Sequence, residues 1–288
     1  MVAERVELQP APVEVEADVR TATWQRIAGH RALRTWWPPL LVFIVLVVLW
    51  QYIPGAAGVQ SYVLPTPTEI GAAIGDNSSV FWNGLAASAI ASVVGFALSA
   101  VLGVLAACVM ATWKPVELTL YPYMVVLSTV PIIAIAPLII VWFGPGNLSI
   151  LIITVIVGFF PVVANTVVGL QSASSTSVDL FRINGASKFQ TLLKLRFPGS
   201  LPYIMASLKV TATLAVIGTI VGEYVAGTSG ASGGLGYIII VAANRLETSF
   251  LFGAAIASGL LGVVFFVLVS LVSRRVLGSW HESAMKAE

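Results

Sequence analysis

The chain alternates between long uncharged apolar runs and short polar interruptions, and the lengths of the runs predict its elements. Residues 36–52, WWPPLLVFIVLVVLWQY, carry no charge. At 1.5 Å per helical residue they cover about 25 Å, which with flanking aromatics spans a bilayer core. Their prolines stand at the start, where a helix tolerates them. Residues 53–82, which include VLPTPTEI, return to Gly, Pro, Asn and Ser and read as a loop with a short surface helix. No charge occurs between Asp76 and Lys114, and residues 84–111 form a second span. A further uncharged stretch runs from Glu117 to Asp179. It is too long for one helix and is broken by WFGPGN, residues 142–147, so it makes two spans joined by a tight turn. Residues 204–226 form a fifth span, and after the Gly-rich segment 227–236 residues 248–273 form a sixth.

Composition agrees with this pattern. The 288 residues are 58% hydrophobic and 10% charged, against about 25% charged in a soluble domain. The expected fold class is an all-α membrane protein of six transmembrane helices. A cleaved signal peptide is not expected, because a long mixed segment precedes the first apolar run, which is span-length and lacks a convincing small-residue cleavage site. With the N-terminus inside, every Lys and Arg except Arg245 falls in an inner segment. This is a strong positive-inside signal, and it places both termini in the cytoplasm. The expected organisation is a disordered cytoplasmic tail over 1–35, a six-span domain over 36–275 with a cytoplasmic loop at 171–203, and a cytoplasmic tail over 276–288. Trp36, Trp37, Trp50 and Tyr52 bracket the first span as interfacial anchors.

Small residues recur every four positions at Ala91, Gly95, Ser99, Gly103 and Ala107, and again at Ala254, Ser258 and Gly262. Such stripes let helix backbones approach closely, and packing within the chain is favoured over a subunit interface. Pro122, Pro131, Pro137 and Pro161 predict kinks in the third and fourth spans.

The loop DLFRINGASKFQTLLKLRFPGSLPYI, residues 179–204, is far longer than the two to eight residues that a helix hairpin needs. Gly185 divides it. After the glycine, Phe189, Leu192, Leu193 and Phe197 fall near one helical face, with Lys188, Lys194 and Arg196 towards others. Such an amphipathic helix either lies on the inner leaflet or docks into a groove on a soluble partner. Pro198 and Pro202 then restart the chain into the next span.

These residues carry a resemblance. The loop is similar to the E-A-A-x(3)-G-x(9)-I-x-L-P pattern of the inner-membrane permeases of bacterial ABC importers. Asp179 stands at the Glu position, Gly185 six later, Leu195 at the Ile position and Phe197-Pro198 at Leu-Pro. The resemblance extends to VLPTPTEI, PIIAIAPLIIVWFGPG and GEYVAGTSG, and points to the subfamily that imports nitrate, sulfonates, taurine and thiamine or riboflavin precursors. The departures are Leu180-Phe181 for Ala-Ala and Asp179, one methylene shorter, for Glu. The resemblance implies the type I ABC importer permease fold and a coupling helix near Gly185 to Gln190, seated in a cleft of an ATPase subunit. It makes Asp179, Gly185, Ala186, Ser187, Lys188, Phe189 and Pro198 the coupling residues. It also implies an extracytoplasmic substrate-binding protein, an identical second permease chain and contact with membrane lipid, and no nucleic-acid partner. The run TLAVIGTIVGEYVAG resembles permeases for pyrimidine or riboflavin-type vitamin precursors more than those for sulfonates.

Candidate chemistry within the chain is sparse. There is no G-x-x-x-x-G-K-[ST] loop, so ATP and magnesium are expected on the partner and no cofactor on this chain. No catalytic triad, paired carboxylates or Cys/His cluster occurs, and His30 and His281 lack metal-ligand spacing, so neither catalytic nor metal-ligating residues are expected. Cys108 has no cysteine to pair with. Glu223 is the only acid deep in an expected span. Such a residue either faces a pathway or fixes the loop that follows it. Ser128, Thr129 and Asn165 are polar positions that line a pathway or bond to their own helix carbonyls. A secondary transporter driven by an ion gradient would show internal repeats or several intramembrane charges, and only Glu223 is available.

Overall fold

The computed structural model describes residues 17–228 and 233–285, with side chains described over 37–228 and 233–278. Regular structure among the described residues is helical. The chain divides into two units, residues 1–59 and 60–288.

The first unit is built on one helix, α1 (Ala17–Ala56). It begins at Ala17, so a helical backbone replaces the tail expected up to residue 35. Residues 17–35 contain no proline and are rich in Ala and Arg, both good helix formers. The acidic stretch before Ala17 and the side chains of His30, Trp36 and His281 lie outside the described residues. From Trp37 to Leu49 the large side chains other than Val47 are exposed, the pattern of a span that buries its surface in lipid.

The second unit begins with the expected surface helix, α2 (Pro67–Asp76), started by a capping box between Thr66 and Glu69 with Pro67 in the first turn. The Glu69 carboxylate accepts from the Ser61 hydroxyl at 2.6 Å and from the Thr66 amide at 2.8 Å. These hydrogen bonds hold the Glu69 carboxyl below its usual range. Next come α3 (Ser78–Thr112), α4 (Lys114–Thr129), α5 (Ile132–Phe143) and α6 (Asn147–Gln171).

One of the four prolines behaves differently from the rest. Pro122, Pro137 and Pro161 lie within helices. Pro131 is the N-cap of α5, and α4 and α5 meet at 102°. Val130 before it is extended, with φ −74° and ψ 126°, as the residue before a proline prefers. The third expected span is thus a broken one.

Beyond α6 come α7 (Ser175–Ile183), the single turn α8 (Lys188–Thr191), a π-helical turn (Leu192–Arg196) and α9 (Phe197–Ala226). The last three form one helical run from Lys188 to Ala226, where a short helix and a separate span were expected. The reason lies in the π turn. Phe197 donates its amide to Leu192, five residues back, which opens the ladder just before Pro198, a residue with no amide to give. A short helix absent from the sequence-based expectation, α10 (Leu235–Arg245), follows, and α11 (Thr248–Met285) closes the chain. Among the described residues five helices are long and apolar enough to cross a membrane, and six if the bent α4–α5 pair makes one span.

The centre of the second unit is α6, packed between α3 and α9. The small-residue stripe of α3 lies there, so its packing is within the chain. A Cβ on Gly95 would meet Thr154 Cγ2 at 2.3 Å, and one on Gly103 would meet Val162 at 2.8 Å. Met110, Val163, Val167, Leu170 and Leu192 form a buried cluster at the end carrying the 171–203 loop. Phe81, Leu235, Ile238, Ala242 and Phe250 form another, around α10.

Candidate functional site

The loop between α6 and α9 is a helix, a turn and a second helix start, each dictated locally. Ser174 caps α7 by accepting from the Ser177 amide. At its far end the Gly185 amide donates to Arg182 and the Ala186 amide to Phe181, both at 3.0 Å. This pair of bonds is a Schellman motif, and it requires a left-handed residue; Gly185 supplies it with φ +75°. Ser187 then opens α8 through a reciprocal capping box with Gln190. Leu192 anchors the loop in the buried cluster below it.

The loop leaves apolar surface uncovered. Ile183 is 82% exposed and Phe189 65%, on either side of the Gly185 turn. Asp179 and Lys188 are exposed too, and neither forms an ion pair among the described residues. Pro198 lies farther along, at the start of α9 and half-buried. Behind the turn is a cavity of about 590 Å³ lined by Lys114, Arg182, Lys188 and Arg196, with Glu117 as its acid. Glu117 is held by Lys114 at 3.0 Å, and Arg196 donates to the Ala111 carbonyl at the end of α3 at 3.2 Å. Arg182 and Lys188 keep their charge unmatched among the described residues, so the cavity is basic.

Glu223 lies elsewhere, in a closed arrangement. It is 2% exposed, and Ser88 of α3 donates to its two oxygens at 2.9 and 2.7 Å. The Gly236 amide, in the first turn of α10, donates to the same carboxylate at 3.0 Å, while the Leu235 amide donates to Ser88 Oγ at 2.8 Å. The acid therefore ties α3, α9 and α10 together. Gly234 is needed for the approach, since a Cβ there would fall 2.0 Å from Glu223 Oε1. Ser88 was missed by sequence reasoning because it is 135 residues away and looks like one more small residue. The closely spaced glycines of GGLG were the available signal for a tight approach.

The remaining candidates bond to their own helices. The Ser128 and Thr129 hydroxyls donate to Val125 and Val126 at 2.7 Å, satisfying carbonyls at the end of α4. Asn165 donates to Pro161 at 2.9 Å from an exposed position. Among the described residues these hydrogen bonds do not join them to Glu223.

Residues 99–278 match the family described as "Binding-protein-dependent transport system inner membrane component". The chain belongs to this family. The permease is similar to the formylaminopyrimidine transport permease protein ThiX of Halalkalibacterium halodurans, 36% identical over 85% of this chain and 96% of that one. It is also similar to the riboflavin transport system permease protein RibX of Chloroflexus aurantiacus, 29% identical over 86% of this chain and 92% of that one. A third relative is the nitrate import permease protein NrtB of Leptolyngbya laminosa, 25% identical over 83% of this chain and 87% of that one. The permease is thus a multi-pass inner-membrane subunit of an ABC importer for small solutes, and its relatives are transport subunits, not enzymes. A permease of this family implies two kinds of partner, an ATPase and a substrate-binding protein.

Proposed function

We propose that this permease forms the path of an importer for a small polar organic solute, and that the 179–198 segment couples it to a separate ATPase. The uncovered apolar pair Ile183 and Phe189, held out by the Gly185 turn, carries the reading. Exposed apolar side chains on a rigid, capped turn suit insertion into a protein cleft. Asp179 pairs there with a cation of the ATPase, and Lys188 and the basic cavity behind it take an acidic side chain. Ala186, Ser187 and Pro198 hold the turn and its return into α9. ATP and magnesium bind the ATPase, whose closure supplies the free-energy difference between inward-open and outward-open states.

The positive-inside pattern supports a cytoplasmic position for this loop and for both termini, so the α10 end faces outward to the substrate-binding protein. A second identical chain completes the path. Among substrates, a pyrimidine or riboflavin-type vitamin precursor is favoured over sulfonate, taurine or nitrate, because the formylaminopyrimidine permease, at 36%, shares more identity with this chain than an aliphatic sulfonates permease, at 30%, or the nitrate permease, at 25%, although the riboflavin permease, at 29%, does not exceed the sulfonates one. Glu223, Asn165, Ser128 and Thr129 are the pathway positions to test, with Glu223 acting through the geometry of α10.

The test is co-expression with the cognate ATPase followed by affinity purification. The ATPase is expected to co-purify with the wild type and to be lost from Gly185→Arg combined with Phe189→Ala; unchanged recovery would refute the coupling role. For the substrate, the adjacent binding protein is expected to gain thermal stability with a formylaminopyrimidine and not with a sulfonate, and the reverse result would refute the choice.

A further inference from the structure

A second basic cavity lies away from the 171–203 loop turn, between the start of α9 and the end of α11, and encloses about 480 Å³. Two cations line it, Lys209 of α9 and Arg274 of α11, and no acid is among its lining residues. Lys209 is the only cation in α9, and neither residue forms an ion pair among the described residues. A cation in an apolar span is retained only where something offsets its charge, and a long Lys side chain reaches for the headgroup layer to find it. Beside them lies Ser273, fully buried, its hydroxyl without a hydrogen-bond partner. A buried hydroxyl left unpaired costs about 1 to 3 kcal/mol, so an external acceptor is expected. Pro198, Leu201, Pro202 and Leu277 make the remaining wall apolar.

We infer that this cavity binds the headgroup of an anionic phospholipid. The two cations and the Ser273 hydroxyl hold the phosphate, and an acyl chain follows the apolar wall. Basic pockets between spans at the cytoplasmic side suit such headgroups. Inorganic phosphate would gain nothing from the prolines and leucines, and a carboxylate side chain of a soluble partner would have to enter between two spans. The assignment relies on the loop end of the bundle facing the cytoplasmic leaflet, but binding itself can be measured without knowing the orientation.

The full-length chain is delipidated in detergent, reloaded with phosphatidylglycerol or phosphatidylcholine, and examined by native mass spectrometry. One phosphatidylglycerol per chain is expected to be retained, in preference to phosphatidylcholine. Lys209→Gln and Arg274→Gln are each expected to weaken retention about fivefold. Arg274→Lys preserves it, Ser273→Ala weakens it to a smaller extent, and Arg245→Gln, at the other end of the bundle, leaves it unchanged. Equal retention of both lipids overturns the proposal, as does an equal loss with Arg245→Gln. Displacement by millimolar inorganic phosphate would make it a free-anion site, and unchanged retention in Ser273→Ala and Arg274→Gln together would move the lipid elsewhere. If a glutamine variant melts early, the comparison of Arg274→Lys with Ser273→Ala decides.

Discussion

Around Gly185 the permease leaves Ile183 and Phe189 uncovered and Asp179 without an ion pair among the described residues, whereas around Glu223 it buries an acid and supplies neutral donors from two other helices. Both regions use a glycine and a short helix start, so local chemistry does not separate them. Closure does. The Glu223 centre is complete within one chain, and its loss should be felt as stability. The Gly185 turn is incomplete, and its loss should be felt only when a partner is present.

The largest effect is expected from Glu223→Ala. It orphans the buried Ser88 hydroxyl and Gly236 amide, each worth about 1 to 3 kcal/mol, so a marked fall in Tm is expected in detergent. Recovery of the ATPase by the folded fraction should be unchanged; loss of recovery without a change in Tm would erase the contrast. Phe189→Ala should do the opposite. An exposed residue acting as an interface anchor contributes about 2 kcal/mol or more, so ATPase retention falls at least about tenfold while Tm stays put. Gly185→Ala keeps the surface but forces a Cβ into the left-handed region at a cost of about 1 to 2 kcal/mol. Nothing would lie within 4 Å of that Cβ, so the effect is pure backbone strain. A partial loss of transport-coupled ATP hydrolysis, between wild type and Phe189→Ala, is the expected reading.

The smallest effect concerns the α2 cap. Glu69 has a depressed carboxyl pKa in the folded protein, so its contribution is present above the unfolded value near 4.5 and is lost as pH falls through the folded one. Amide exchange at residues 66–70 should rise relative to the bundle below that pH, and Glu69→Gln should flatten the dependence. An unchanged profile in Glu69→Gln would remove the cap as its source.

The spans and the segmented loop were legible because they depend on run length and spacing, which a linear reading captures. The Gly185 turn was legible for the same reason, because a glycine dividing an amphipathic stretch is a local signal; the restart expected at Pro198 gave way to one helical run from Lys188 to Ala226. The 102° break was not, since four prolines look alike in sequence and only Pro131 coincides with an extended preceding residue. The Ser88 to Glu223 tie joins residues from opposite ends of the bundle sequence and has no periodic signature. Helix α10 was hidden by the glycines before it, although those glycines are what let its first turn reach the carboxylate.

The π turn at Leu192–Arg196 has a mechanical consequence. Because helical backbone continues from Lys188 to Ala226, Phe189 is the tip of a lever whose other arm lies among the buried helices. One extra residue in the wider turn rotates that tip by about 100° relative to an unbroken α-helix. Deleting a single residue there would leave composition and length nearly untouched, yet aim the tip at a different side of whatever it drives.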